Sequence, residues 1–199
     1  MSGLLCRRRR HSHPTAMWIP SNKVLRWLAP AQRWSRQTGC PAALILATIQ
    51  QESGGDPEAT RYEPEYEKRY KARCEEIARA CRLSPEVVAT SYGLMQLMLP
   101  LAWGYMGPDV RRGDVVAALL DPEQNIRFGA AHLGVLIRKE LTKHNDAVSL
   151  ALGLQKEIDA AVVRAVAGRY NGGGSGSAYA RNVCALWQRY ERYLKEAGA

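Results

Sequence analysis

The sequence is short of several things, and each shortage excludes something. It has one phenylalanine among 199 residues and no sustained alternation of apolar and polar positions. A sheet is therefore not its organising element, and the abundance of Ala, Leu, Arg and Glu predicts a mostly α fold. No window reaches the ~18 apolar residues of a membrane span. The five cysteines (Cys6, Cys40, Cys74, Cys81, Cys184) are odd in number and match no zinc spacing. On a shared helix, Cys74 and Cys81 would lie roughly 10 Å apart, too far for a disulfide. The set reads as reduced, mostly buried thiols of a protein made in a cytosol, with pairing of distant cysteines left open. The histidines (His11, His13, His132, His144) form no ligand pattern and nothing resembles a phosphate loop, so no metal and no cofactor is expected.

What is present begins with charge. The formal net charge is +9, from 28 Lys and Arg against 19 Asp and Glu. Four of the positive charges are Arg7–Arg10. Such a balance suits an anionic polymer: nucleic acid, a lipid surface or a bacterial wall. No helix-turn-helix signature or interleaving of aromatics with basic residues supports nucleic acid. The N-terminal arginines lack the following apolar stretch of a secretory signal. Residues 1–16 read as a disordered basic tail, residues 17–199 as one domain, and Met17 as an alternative start.

Ser21 offers an N-cap for a helix running toward Thr38, which Pro30 should kink or split and Gly39 should stop. Pro41 opens an apolar helix carrying Leu44, Ile45, Thr48, Ile49 and Glu52, ended by Gly54-Gly55. Residues 56–91 look like a charged insertion, irregular around "TRYEPEYEKRY" and then helical, with a capped helix start at Ser84-Pro85-Glu86. Asp121-Pro122 starts a long amphipathic helix through about Lys143, with Ile126, Leu133, Leu136, Ile137 and Leu141 inward. Further helices are expected after Asp146, over Glu157–Ala167 and over Ala178–Lys195. "YNGGGSGS" is a loop, because so many glycines cannot hold a helix.

Glu52 carries the chemical interest. It continues the stripe of Ile45, Thr48 and Ile49, so it should face the interior or a cleft. Burial disfavours its charged form, and so does the negative end of its own helix. Both raise its pKa, as a general acid requires. The glycines after it remove bulk and leave room for a substrate. A surface glutamate before an ordinary glycine cap would fit the same local sequence. "SYGLMQLM" offers apolar Met95 and Met98 beside the amide of Gln96, a surface suited to an N-acetylated sugar. "RYNGGGSGS" places Tyr170 and Asn171 at a helix end beside close-approaching backbone.

In this order, the three segments resemble the soluble lytic transglycosylase family, related to goose-type lysozyme. The matching blocks are Glu52-Ser53-Gly54-Gly55-Asp56-Pro57, Gly93-Leu94-Met95-Gln96-Leu97-Met98 and Tyr170-Asn171-Gly172-Gly173. "DPEQNIRFGAAHLGVL" from Asp121 is similar to a fourth family block, and the resemblance spans about residues 40–190. The chain departs from the pattern at Leu99, Arg169, His132 and the long interval before Gly93; its "RYEP" segment is similar to phage-encoded members.

The resemblance implies a lysozyme-like helical domain with a groove that cleaves peptidoglycan. Glu52 would be the single catalytic acid and Ser53 would lie near the reacting sugar. Met95 and Gln96 would line the groove, and Tyr170 would hold the orientation of Glu52, with Asn171 beside it in the substrate site. The product would be a 1,6-anhydro-muramic end. The alternative is hydrolysis with a second carboxylate, for which Asp56, Glu63 and Glu65 are candidates. A purely binding module would leave Glu52, Gln96 and Tyr170 without a purpose. The expected partner is peptidoglycan glycan strands, without nucleic acid or a membrane span, and the chain is expected to be a monomer. The missing export signal suggests a phage lysis or virion-associated enzyme acting at the wall.

Overall fold

The computed structural model describes residues 18–143 and 158–198. Ser21 starts α1 (Asn22–Leu25), its Oγ accepting from the Lys23 N–H at 3.2 Å. The chain turns at Arg26 and Trp27 and resumes as α2 (Leu28–Thr38). The helix expected to kink or split at Pro30 is split, with the break at residues 26–27, ahead of that proline. In the first turn of α2 the missing N–H of that proline costs no helical bond. Gly39 ends α2 in the left-handed conformation.

The next helix, α3 (Ala42–Ser53), is the centre of the fold. Ala43 through Ile49 are all buried. A helix apolar on every side must be enclosed, and α3 is. It is packed by α2, by the long α10 (Pro122–Thr142) and by the C-terminal α12 (Ala178–Glu196), while α11 (Ala160–Asn171) bridges α10 and α12. Each large aliphatic side chain enclosed this way contributes roughly 1.5–3 kcal/mol. Asp121 caps α10 through the Gln124 N–H at 2.8 Å, and Ile126, Leu133, Leu136 and Ile137 face the core. Asp159 caps α11, which therefore begins later than the expected Glu157. Residues 1–17 and the helix expected after Asp146 lie outside the described residues.

Residues 56–91 depart most from expectation. The stretch read as irregular holds a strand, β1 (Thr60–Tyr62), and α4 (Pro64–Arg69). Helix α5 (Lys71–Cys81) and the short α6 (Pro85–Val88) follow, the latter capped by Ser84. β1 pairs antiparallel with β2 (Thr90–Tyr92), which pairs with β3 (Leu97–Met98). Strands of two or three residues are too short to show alternation. Three short helices, α7 (Leu99–Ala102), α8 (Pro108–Arg112) and α9 (Val115–Leu120), lead back to α10. Cys40, Cys74 and Cys184 are buried free thiols and Cys81 is a half-buried one. Among the described residues no helix is long and apolar enough to cross a membrane.

Candidate active site

Glu52 stands in the last turn of α3, where the buried helix emerges. The glycine turn beyond it is pinned at several points. Gly54 caps the helix with φ 61°. Trp27 Nε1 donates to the Gly55 carbonyl at 3.1 Å. A Cβ on Gly55 would lie 2.4 Å from the Lys23 carbonyl oxygen. Contrary to the expectation from sequence, this glycine does not clear space for a substrate; it lets α1 approach α3.

The Ser53 hydroxyl likewise turns inward. It donates to the Leu94 carbonyl at 2.9 Å, lies 3.2 Å from that of Ile49 and accepts from the Gly55 N–H. It ties α3 to the β2–β3 turn and does not line the cleft.

That turn, Gly93 to Gln96, forms the neighbouring wall. The fully buried Asn125 of α10 holds it with three bonds. Its Oδ1 accepts from the Met95 N–H at 2.8 Å, and its Nδ2 donates to the carbonyls of Tyr92 and Leu119 at 2.9 and 2.7 Å. Gly93 has φ 70°, and a Cβ there would fall 2.6 Å from Asn125 Nδ2. Met95 is fully buried over Gly129, so its side chain is core and not groove, contrary to expectation. Its polar contribution is its carbonyl, which accepts from the Tyr170 hydroxyl at 2.7 Å. Gln96 lines the cleft from a left-handed backbone, φ 46°. Its Nε2 donates to Ala59 and Gly93 carbonyls at 2.9 and 3.0 Å. Both amide hydrogens are thereby engaged, which turns the amide oxygen to use as an acceptor.

These walls enclose an open cleft of about 640 Å³. Glu52, Gln96, Tyr170 and Asn171 line it together, although 119 positions separate the first from the last. Of the candidate second carboxylates, only Glu63 reaches it. Asp56 is exposed and caps the Glu58 N–H, and Glu65 faces an adjoining recess. Sequence reasoning missed Arg61, Tyr66, Arg69, Tyr70, Ser91 and Arg169 as lining residues; Gly172 and the apolar Met98, Pro100 and Leu101 complete the wall.

The most consequential residue it missed is Tyr179. The Tyr179 hydroxyl donates to Glu52 Oε1 at 2.5 Å. The tyrosine that holds Glu52 is thus Tyr179, at the start of α12, while Tyr170 spends its hydroxyl on Met95. Burial pushes the Glu52 carboxyl above the ordinary carboxylate range. The Tyr179 hydrogen bond and the Arg61 guanidinium pull it part of the way back, and the Glu63 charge pushes it up again. Arg61 Nε is bonded to Glu63 Oε1 at 2.5 Å, so these two opposing influences on Glu52 form one ion pair on β1 and the residue after it. Tyr179 is itself held strongly protonated by burial and by the neighbouring Glu52, so it stays a donor.

Behind Tyr170, the His132 ring centroid lies 5.6 Å from the tyrosine ring. His132 Nδ1 is 2.9 Å from the Tyr105 hydroxyl, and burial lowers its pKa to about 4. It therefore stays neutral at ordinary pH and packs as an aromatic. Chemically, the cleft offers the Glu52 carboxyl, raised in pKa and fixed by Tyr179, beside the Arg61–Glu63 ion pair, the Gln96 amide and an apolar shelf.

The profile of the transglycosylase SLT domain matches residues 29–179, which run from α2 to the first turn of α12. The chain belongs to the transglycosylase SLT family. A comparison with curated proteins gives no significant match. For an SLT domain, family membership implies lytic transglycosylase activity on peptidoglycan. Within this SLT domain the matched span includes Glu52, the Asn125-braced turn, Tyr170 and Tyr179.

Proposed function

We propose that the chain cleaves the β-1,4 bond between N-acetylmuramic acid and N-acetylglucosamine, with Glu52 as acid and then base. The observation that carries this reading is the Glu52 carboxyl in the cleft, raised in pKa by burial and fixed by Tyr179. Oε1 is occupied by the tyrosine, so the proton sits on Oε2. Glu52 gives that proton to the glycosidic oxygen as the bond from the muramic C1 breaks. The N-acetyl oxygen of the same sugar stabilises the cationic carbon. The C6 hydroxyl then attacks C1 and returns a proton to Glu52, leaving a 1,6-anhydro ring. No water is consumed, so one carboxylate suffices. The Gln96 amide oxygen is suited to accept from an N-acetyl N–H, and Met98, Pro100 and Leu101 to meet its methyl group.

A second reading is hydrolysis, favoured by one observation: Glu63 also lines the cleft and acts on Glu52 through its charge. Its carboxylate would position water. Mass spectrometry of digested peptidoglycan separates the two. Anhydro-muropeptides from the wild type and none from Glu52→Gln are the expected result. Reducing ends without the anhydro ring, lost in Glu63→Gln, would establish hydrolysis instead. Absence of any cleavage would overturn both.

A further inference from the structure

The cleft does not end where the reacting bond would lie. Three of its lining residues, Tyr66, Arg69 and Tyr70, also line a second recess of about 590 Å³. The other residues of that recess are Glu65 and Lys68. All five belong to α4 or the residue just after it, within the segment inserted between the Glu52 turn and β2. The two hollows therefore adjoin one another at α4.

Its chemistry differs from that of the cleft. Lys68 and Arg69 face one acid, Glu65, and all three are exposed. No ion pair among the described residues engages Lys68 or Arg69. The other two cleft arginines are already engaged, Arg61 with Glu63 and Arg169 with Glu140 at 3.3 Å. The Tyr66 and Tyr70 rings sit against one another, with centroids 4.6 Å apart. Such a surface is unsuited to a further neutral sugar, which would gain nothing from two cations that share one acid. It suits a flexible chain bearing carboxylates.

We propose that the α4 recess binds the carboxylate-bearing peptide that hangs from the lactyl ether of muramic acid, on the same strand whose glycosidic bond lies at Glu52. This rests on the peptidoglycan reading of the cleft and adds a source of specificity to it. Lys68 contacts only the recess, so it is the residue to change.

The experiment compares soluble glycan strands carrying uncrosslinked peptides with the same strands stripped of them by an amidase, which leaves only the short lactyl carboxylate on each muramic residue, too close to the ring to extend along α4. For Lys68→Glu, kcat/KM on peptide-bearing strands should fall about tenfold, as a reversed charge beside a carboxylate does. On stripped strands it should stay within about twofold of wild type, and Lys68→Ala should lie between on the first substrate. An equal loss on both substrates, or none on either, would overturn the proposal. If wild type cleaves neither strand, the activity reading fails. Titration of the released peptides into the wild-type protein, followed by NMR, then decides the recess. Binding weakened in Lys68→Glu would sustain it, and no binding would sink it.

Discussion

At the scale of single residues, the site is a balance around one carboxyl. A general acid must be protonated, so turnover should fall as pH rises through the Glu52 value. Tyr179 lowers that value by bonding the charged form. Tyr179→Phe removes this, so the alkaline limb of kcat should move to higher pH. At the same time kcat should drop, by ~10²-fold if the carboxyl loses its orientation. Glu63 acts in the opposite sense. Glu63→Gln should move the same limb to lower pH, and under the transglycosylase reading it should leave the anhydro product unchanged. Limbs that stay in place in both variants would mean that Glu52 is not the titrating acid.

The same shift has a consequence for stability. A carboxyl whose folded pKa is raised resists ionisation in the fold. Folding stability is therefore unaffected below the ordinary carboxylate value. It falls as pH rises from there through the raised value, and the loss persists above it. Glu52→Gln removes the titration while its amide oxygen can still accept from Tyr179. Thermal melts should show Glu52→Gln more stable than wild type at about pH 8 and level with it at about pH 3. A variant less stable at the higher pH would contradict the burial argument.

At the scale of elements, the β2–β3 turn is the part most exposed to single changes. Asn125 satisfies one N–H and two carbonyls there, all out of reach of water. Asn125→Ala should cost about 2–4 kcal/mol, from three groups stranded together. Gly93→Ala should be comparably severe, since its Cβ would collide with Asn125 and its φ is left-handed. Urea unfolding of both variants checks this, with the midpoint moving and the slope unchanged.

The elements also show what a sequence reveals. Helix α10 was legible from apolar residues at helical spacing and its Asp121-Pro122 start, and α3 from an apolar run bounded by Pro41 and Gly54. Glu52 was legible because it prolongs such a stripe. Met95 and Ser53 were misjudged because a motif fixes which residues occur, not which way they point. Within one four-residue turn, Met95 faces the core and Gln96 the cleft. Tyr179 was invisible because its partner lies 127 positions away and nothing local marks the pair. The same applies to α4: a six-residue helix entered from an extended strand leaves no periodic trace.

At the scale of the whole molecule, charge and cleft have to be considered together. The net charge of +9 includes four arginines at positions 7–10, outside the residues 29–179 that match the family and carry Glu52. Long-range attraction to an anionic wall raises encounter and is screened by salt, whereas the chemistry inside a partly buried cleft is not. Raising the salt from about 0.05 M to about 0.5 M shrinks the screening length several-fold. It should raise KM on whole peptidoglycan and leave kcat within about twofold. A protein starting at Met17 loses the Arg7–Arg10 charges and keeps every described residue that lines the cleft. Its kcat should match the full chain, while its KM should be higher at low salt and converge with the full chain at high salt. That convergence is the decisive feature, because only a screened, non-local charge effect vanishes with salt. A kcat that drops on truncation would instead mean that residues 1–16 take part in forming the site.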